Sequence, residues 1–215
     1  IGTGFNSGKD YERLENARLL DPSEYILNEK LGYISLNAAL NADEVLAVAY
    51  EYTVRGEIHT VGELTSNAPA APSTLVVKML RSTTQSPKMP TWDLMMKNVY
   101  NIGSYNLSAE DFVLDILYQN DKAGTKVNYL PAGDIDNKIL LSVMNLDRLN
   151  TQLDAIPDGR FDYIEGITVY SNKGRIVFPV LEPFGGWLEK KINRPGVAGQ
   201  YVYKDLYEKT QSEAE

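Results

Sequence analysis

The sequence predicts a β-rich α+β fold, built of antiparallel sheets or a sandwich with one or two short helices, and three observations predict it. Strand-like runs begin near Tyr33, Val45, Ile58, Ser73, Phe112 and Arg175, most of them alternating apolar and polar residues at the period with which a strand buries one face. Gly- and Asn-containing turns separate several of those runs, which joins neighbouring strands as hairpins. A helical stripe occurs only at residues 92–100 and 203–210. Fourteen Tyr residues dominate the aromatics, in keeping with sheets and binding faces where an apolar ring carries a wet hydroxyl.

Taken in order, the first 8 residues, with Gly2, Gly4 and Gly8 among small polar residues, read as a mobile end, and residues 1–10 as a flexible linker. After Asp21-Pro22-Ser23, residues 25–27 and 33–37 form a hairpin pattern around the turn at Asn28 to Gly32. Residues 45–54 read as one strand whose Leu46, Val48, Tyr50, Tyr52 and Val54 face is the richer in large apolar side chains and is expected to point inward. Arg55-Gly56-Glu57 turns the chain into residues 58–63. Residues 67–72 form a loop, because two prolines withdraw donors from any ladder. Residues 73–80 then read as a buried strand.

Residues 83–90, with Pro87 and Pro90, read as a loop or a helix start. Residues 92–100 form the expected helix, with Trp92, Met95, Met96 and Val99 on one face and the Met pair as core filling. Residues 111–118 alternate Phe112, Leu114, Ile116 and Tyr118 against Val113 and Leu117, a strand that ends at a polar turn over residues 119–124. The apolar run at 139–144 is compatible with either element. Pro157-Asp158-Gly159 is a turn, and residues 167–170 and 175–180 form a hairpin closed by Asn172-Lys173-Gly174. The two hairpins at 25–36 and 167–178 share one plan, which any Gly-containing hairpin could produce and which a duplicated β-unit would also produce. Tyr203, Leu206, Tyr207 and Thr210 trace the last stripe; residues 203–215 read as a truncated helical segment that needs a docking surface, and residues 11–202 as the β-rich module.

The chain has 215 residues, the length of one large or two small domains, and its 43% hydrophobic content suffices for a core. A net charge of −8 opposes binding to DNA or an anionic membrane surface, so nucleic acid is not an expected partner. Without cysteine there is no disulfide framework, thiolate metal site or Cys nucleophile. No run approaches the roughly 18 apolar residues of a spanning helix, so the chain itself is expected to be soluble; transmembrane strands give a weaker signal. It starts at Ile1 with neither Met nor a signal peptide, as a piece of a longer protein would.

Leu31-Gly-Tyr-Ile-Ser-Leu-Asn, Asp43-Glu-Val-Leu-Ala-Val-Ala-Tyr-Glu-Tyr-Thr, Val61-Gly-Glu, Leu80-Arg-Ser-Thr and Trp92-Asp-Leu-Met-Met-Lys-Asn-Val-Tyr follow one another in order. Asp115-Ile-Leu-Tyr, Asn145-Leu-Asp-Arg-Leu-Asn, Pro157-Asp-Gly-Arg-Phe-Asp-Tyr-Ile-Glu-Gly, Phe178-Pro-Val-Leu-Glu-Pro-Phe-Gly and Leu206-Tyr continue the series. Together they resemble the SprA/Sov family, the very large outer-membrane translocons of the type IX secretion system of Bacteroidetes, linked in gliding species to motility. The resemblance runs over nearly the whole chain from about Leu20, in conserved order of motifs rather than through any single one. Leu64-Thr65 departs from the aromatic and Ser expected after Val61-Gly62-Glu63, which leaves the subtype open.

What the resemblance implies is a module in or on a giant β-barrel through which folded cargo leaves the cell, with a structural role and contacts to other secretion-system proteins or exported cargo. It carries no catalytic residue. Long insertions in such barrels project outward, so the extracellular side of the outer membrane is the expected location rather than the periplasm. The alternative is a cell-surface adhesin or glycan-binding β-module, with Trp92, Trp187 and the tyrosines as a stacking platform, and the third reading is a hydrolase.

One acidic loop aligns with a calcium loop. Asp154 at position 1, Asp158 at 5, Gly159 at 6, Asp162 at 9 and Glu165 at 12 match the spacing of hard oxygen ligands around a sharp turn. Ile156 at position 3 supplies no oxygen, and the flanks read as loop and strand rather than helices. An acidic turn feeding a strand is therefore the preferred reading, with no cofactor expected and calcium as its alternative. Asp134-Ile135-Asp136-Asn137 reads as a solvated turn. His59 is the sole histidine, which leaves a Ser-His-Asp triad or a multi-His zinc site without partners, and Asp162 with Glu165 forms a glycosidase pair only if a cleft brings them together. No enzymatic activity is expected.

Overall fold

The computed structural model describes residues 4–64, 66, 70, 73–120 and 124–214. Most of the proline loop at 67–72, the first three residues of the linker and the middle of the polar turn at 119–124 lie outside the described residues. The fold is β-rich α+β, made of several small antiparallel sheets with few helices. The chain divides into two units, Ile1–Met95 and Met96–Glu215, a division that falls inside the stretch at 11–202.

The first unit is a series of hairpins. A short 3-10 turn at Pro22–Glu24 is capped by Asp21, whose side chain accepts from the Ser23 N–H, while Glu24 reaches back to the Asp21 N–H at 2.8 Å. Strands β1 (Tyr25–Asn28) and β2 (Tyr33–Leu36) follow as the expected hairpin, in register from Tyr25↔Leu36 to Asn28↔Tyr33. Residues 45–54 do not form one strand. They break at Ala49 into β3 (Leu46–Val48) and β4 (Tyr50–Val54), because the two halves pair with different partners. The third strand takes β6 (Lys78–Arg81), and the fourth takes β5 (Glu57–Val61). Arg55 at φ 51 and Gly56 at φ 87 form the two-residue turn between β4 and β5, with both central residues left-handed as a tight hairpin of this hand requires.

Three expectations fail here, and among the described residues of this unit no apolar side chain is buried. The large face of β4 does not point inward: every residue of that strand is exposed. Val76 and Val77 are also exposed, so residues 73–80 are not a buried strand and only their end joins a ladder. The expected helix at 92–100, which crosses the end of this unit, is instead a 3-10 turn of five residues, Pro90–Leu94, followed by a strand at Val99–Asn101, and Met95 and Met96, each 37% exposed, fill no core. Among its described residues only Ser82 and Thr91 are buried, and neither is apolar.

The second unit holds the apolar core. Strand β7 (Val99–Asn101) lies antiparallel to β11 (Arg175–Val177), which also pairs with β10 (Val169–Tyr170), giving the order β10-β11-β7. At the end of this sheet Asn98 clasps Phe178 twice, its carbonyl accepting from the Phe178 N–H at 2.9 Å and its Nδ2 donating to the Phe178 carbonyl at 2.6 Å. The run at 139–144 resolves into a helical turn, α1 (Leu140–Val143), and Leu141, Met144 and Leu146 are fully buried with Val169, Ile176 and Ile192. Residues 111–118 keep their alternation, with Phe112, Leu114, Ile116 and Tyr118 packed on the core and Val113 and Leu117 exposed. Only Tyr118 and Gln119 enter a ladder, as β8, opposite β9 (Lys126–Val127). Side-chain period is therefore right for that segment while its strand pairing is nearly absent.

The longest helix, α2 (Gly186–Ile192), was not expected. Leu188 and Ile192, four residues apart, bury one face; Trp187 donates its indole N–H to the Val143 carbonyl at 2.9 Å; and Asn193, at φ 54, ends the helix. A turn of helix at Pro195–Ala198 (α3) follows, then α4 (Asp205–Glu208) and α5 (Gln211–Ala214). In the C-terminal stripe Tyr207 alone is buried, while Tyr203 and Leu206 are exposed. The Tyr207 hydroxyl accepts from the Phe184 N–H at 3.0 Å and shares a hydrogen bond of 2.9 Å with the Tyr100 hydroxyl. Gly185 makes room for the ring, since a Cβ there would come within 2.7 Å of it. Burial pushes both phenols above their ordinary value.

Because these neutral phenols resist ionisation in the fold and not in the unfolded chain, the stability they contribute is fully present below about pH 10 and falls as pH rises above it. Alkaline titration followed by near-ultraviolet absorbance and denaturant midpoint should show the second unit weakening above pH 10, and Tyr207→Phe should flatten that slope while costing about 1–2 kcal/mol at neutral pH.

Gly174, at φ 58 and ψ 41, closes the β10–β11 hairpin as the sequence predicts, and a Cβ at this position would collide with the Ser104 carbonyl. Gly174→Val should therefore cost at least about 1–3 kcal/mol of backbone strain and more for the clash. Gly32, at φ 69 in the first hairpin, faces open space, so the same change there should cost less; equal shifts in urea midpoint would refute the clash.

Candidate functional site

The acidic loop at 145–171 is built on carboxylates that hold peptide N–H groups. Asp147 sits at its root, 1% exposed, just beyond α1. One of its oxygens accepts from the Asp158 N–H at 2.9 Å, and the other accepts a short hydrogen bond from the Ser142 hydroxyl. A buried carboxylate must be satisfied in this way, because desolvation without partners costs several kcal/mol. Asp162 forms a second anchor: its carboxylate accepts from the N–H groups of Arg148 at 2.7 Å and Leu149 at 3.2 Å, and its own N–H donates to the Leu146 carbonyl at 2.8 Å. Thr168 then ties the loop to the sheet, its hydroxyl donating to the Asp162 carbonyl and accepting from the Ile164 N–H at 3.0 Å.

The four carboxylates that align with a calcium loop are each taken up locally. Asp154 accepts from the Asn150 amide at 3.2 Å, and Asp158 from the Arg160 N–H at 3.1 Å. Asp162 serves Arg148 and Leu149, and both oxygens of Glu165 face the Ser171 N–H at 3.1 and 3.2 Å. Among the described residues no three His, Asp or Glu side chains gather into a group that could hold a metal ion. The turn at Pro157-Asp158-Gly159 forms as the sequence predicts, with Gly159 at φ 82 and the Asp158 side chain bonded to the backbone ahead of it. Asp134 accepts from Asn193 at 2.8 Å and so braces the end of α2.

Trp187 is committed to the core side of α2, with Lys191 Nζ 4.6 Å from its ring centroid. The exposed aromatic row lies elsewhere, on β4 and β5. Tyr52 stacks on His59 across the hairpin, ring centroids 5.1 Å apart, and Tyr50 tilts against Tyr52 at 6.0 Å. Asp147 and the Tyr52–His59 pair are the residues that pattern reading missed. The second was within reach: once Arg55-Gly56 is taken as a two-residue turn, the register places Tyr52 opposite His59. Asp147 carries no such signal, since burial of one acid among 29 is a tertiary event.

Asp147→Ala should destabilise the second unit by about 2–4 kcal/mol, since it strands both the Ser142 hydroxyl and the Asp158 N–H; an unchanged denaturant midpoint would remove Asp147 from the root of the loop. Millimolar calcium should leave the melting temperature unchanged, because each carboxylate already serves its own peptide or amide group. A calcium-dependent rise that Asp158→Ala abolishes would make the loop a metal site after all. Comparison with family models and with curated proteins finds no match to this chain.

Proposed function

We propose that the chain is a structural module, with a role in partner or cargo contact, of an outer-membrane protein-secretion translocon of the SprA/Sov type. The observation that carries the reading is the ordered series of motifs from Leu31-Gly-Tyr-Ile-Ser-Leu-Asn to Leu206-Tyr, spread over both units. The architecture is compatible with it: small hairpins displayed by the first unit suit contact, and the core of the second suits a scaffold. The parent protein would sit in the outer membrane with this module on the extracellular side. Its partners would be other secretion-system proteins or exported cargo, and it would carry out no catalysis.

A second reading, a cell-surface adhesin or glycan-binding module, is favoured by the exposed row Tyr50, Tyr52 and His59, since rings on a strand face can stack on sugars. A glycan array on the purified chain separates the two, with binding lost in Tyr52→Ala if the second holds. For the first reading, deleting residues 10–206 from the parent gene of a secreting, gliding host should impair export or cargo release, read as loss of secreted protein from the medium and loss of spreading. Normal secretion in that strain would refute the translocon role.

A further inference from the structure

The β4–β5 hairpin is a two-stranded sheet with no buried residue on either strand. Isolated two-stranded hairpins are marginal in water, and exposed strand edges offer unpaired N–H and C=O groups to other chains. In this register Val54↔Glu57 closes the turn, so the peptide groups of Ile58 and Thr60 on β5 point away from β4. Ile58 is 71% exposed, and over residues 58–60 nothing among the described residues pairs with that edge. The pleat sets Glu57, His59 and Val61 on the face that carries Tyr52. The Glu57 carboxylate has no hydrogen-bond or ion-pair partner among the described residues.

We propose that the outer edge of β5 is a docking site for an extended peptide segment of basic and β-branched residues, which adds to the hairpin as a third strand. Ladder bonds to Ile58 and Thr60 would hold the backbone, a pairing that is indifferent to side chains. Selectivity comes from the face: an Arg or Lys of the incoming strand, set beside Glu57, neutralises its free carboxylate and lies over the His59 and Tyr52 rings. Charge also decides between occupants. A second copy of this chain brings another net charge of −8 to the edge, whereas a basic segment is attracted by it. This inference rests on the hairpin alone and holds or fails independently of the translocon reading.

The test uses the full 215-residue chain and labelled peptides of about ten residues, one alternating Arg with Val and one alternating Glu with Val, followed by fluorescence anisotropy. The basic peptide should bind saturably and at least about tenfold more tightly than the acidic one, with affinity falling as salt rises. Thr60→Pro removes an outward N–H without touching the β4–β5 ladder and should weaken binding by about tenfold or more with an unchanged circular dichroism spectrum. Glu57→Lys should weaken the basic peptide and tighten the acidic one, narrowing the preference between them; the gain for the acidic peptide does not depend on a loss. Equal affinity for both peptides, or unaltered binding in Thr60→Pro, overturns the proposal. So does a dimer in sedimentation that Thr60→Pro dissociates, which would give the edge to a second copy.

Discussion

Burial of a small set of aliphatic side chains holds the second unit together, and its other features depend on it. Leu141, Met144 and Leu146 come from one helical turn and the residues just after it, Val169 and Ile176 from paired strands, and Ile192 from the end of α2. None of these elements is stable by itself. A helix of four residues lies far below the length at which propagation offsets nucleation, and strands of two or three residues form few ladder bonds. Each element persists because it presents apolar side chains to the others, at about 25 cal/mol per Å² removed from water. The tyrosine pair extends this arrangement to the C-terminus, where Tyr207 inserts beside Gly185 and anchors α4.

The acidic loop shows the complementary rule for polar groups. Residues 145–168, with almost no regular structure, would leave many peptide groups without partners, a costly state wherever water is excluded. Here carboxylates replace the missing ladder: Asp147, Asp158, Asp162 and Glu165 accept from peptide N–H groups of the loop and its flanks. The same residues that suggest metal ligation by their spacing are those a long loop needs as acceptors. Within the loop, Asn150 accepts from the N–H groups of Gln152 and Asp154, and the tip so formed holds Leu153 at φ 65 with its side chain 74% exposed.

The first unit follows a different physics. Its hairpins are specified locally, by left-handed turns at Arg55-Gly56 and Gly32 and by the Asp21 capping box, and no apolar side chain among its described residues is buried. Turn chemistry and cross-strand pairs such as Tyr52 with His59 supply its order. Arg81 adds a tether, donating to the carbonyls of Asn41 and Glu44 at 2.8 and 2.9 Å. A unit of this kind presents exposed strand edges and rings.

How far the sequence speaks depends on the range of the interaction concerned. Both hairpins with their glycine turns, the turn at Pro157-Asp158-Gly159 and the alternation at 111–118 were legible, because each is decided by the backbone preferences of a few neighbouring residues or by a period of two. Also legible were the β-rich class and the direction of the charge. Tertiary structure alone decided the break at Ala49, where one apolar run serves two partners, and the end of the helical stripe after Leu94, where no core meets the Met pair. It also decided that Asp162 reaches back to the N–H groups of Arg148 and Leu149, and that among the described residues the buried acid is Asp147. Those outcomes turn on which distant segment lies opposite, and local patterns do not encode that.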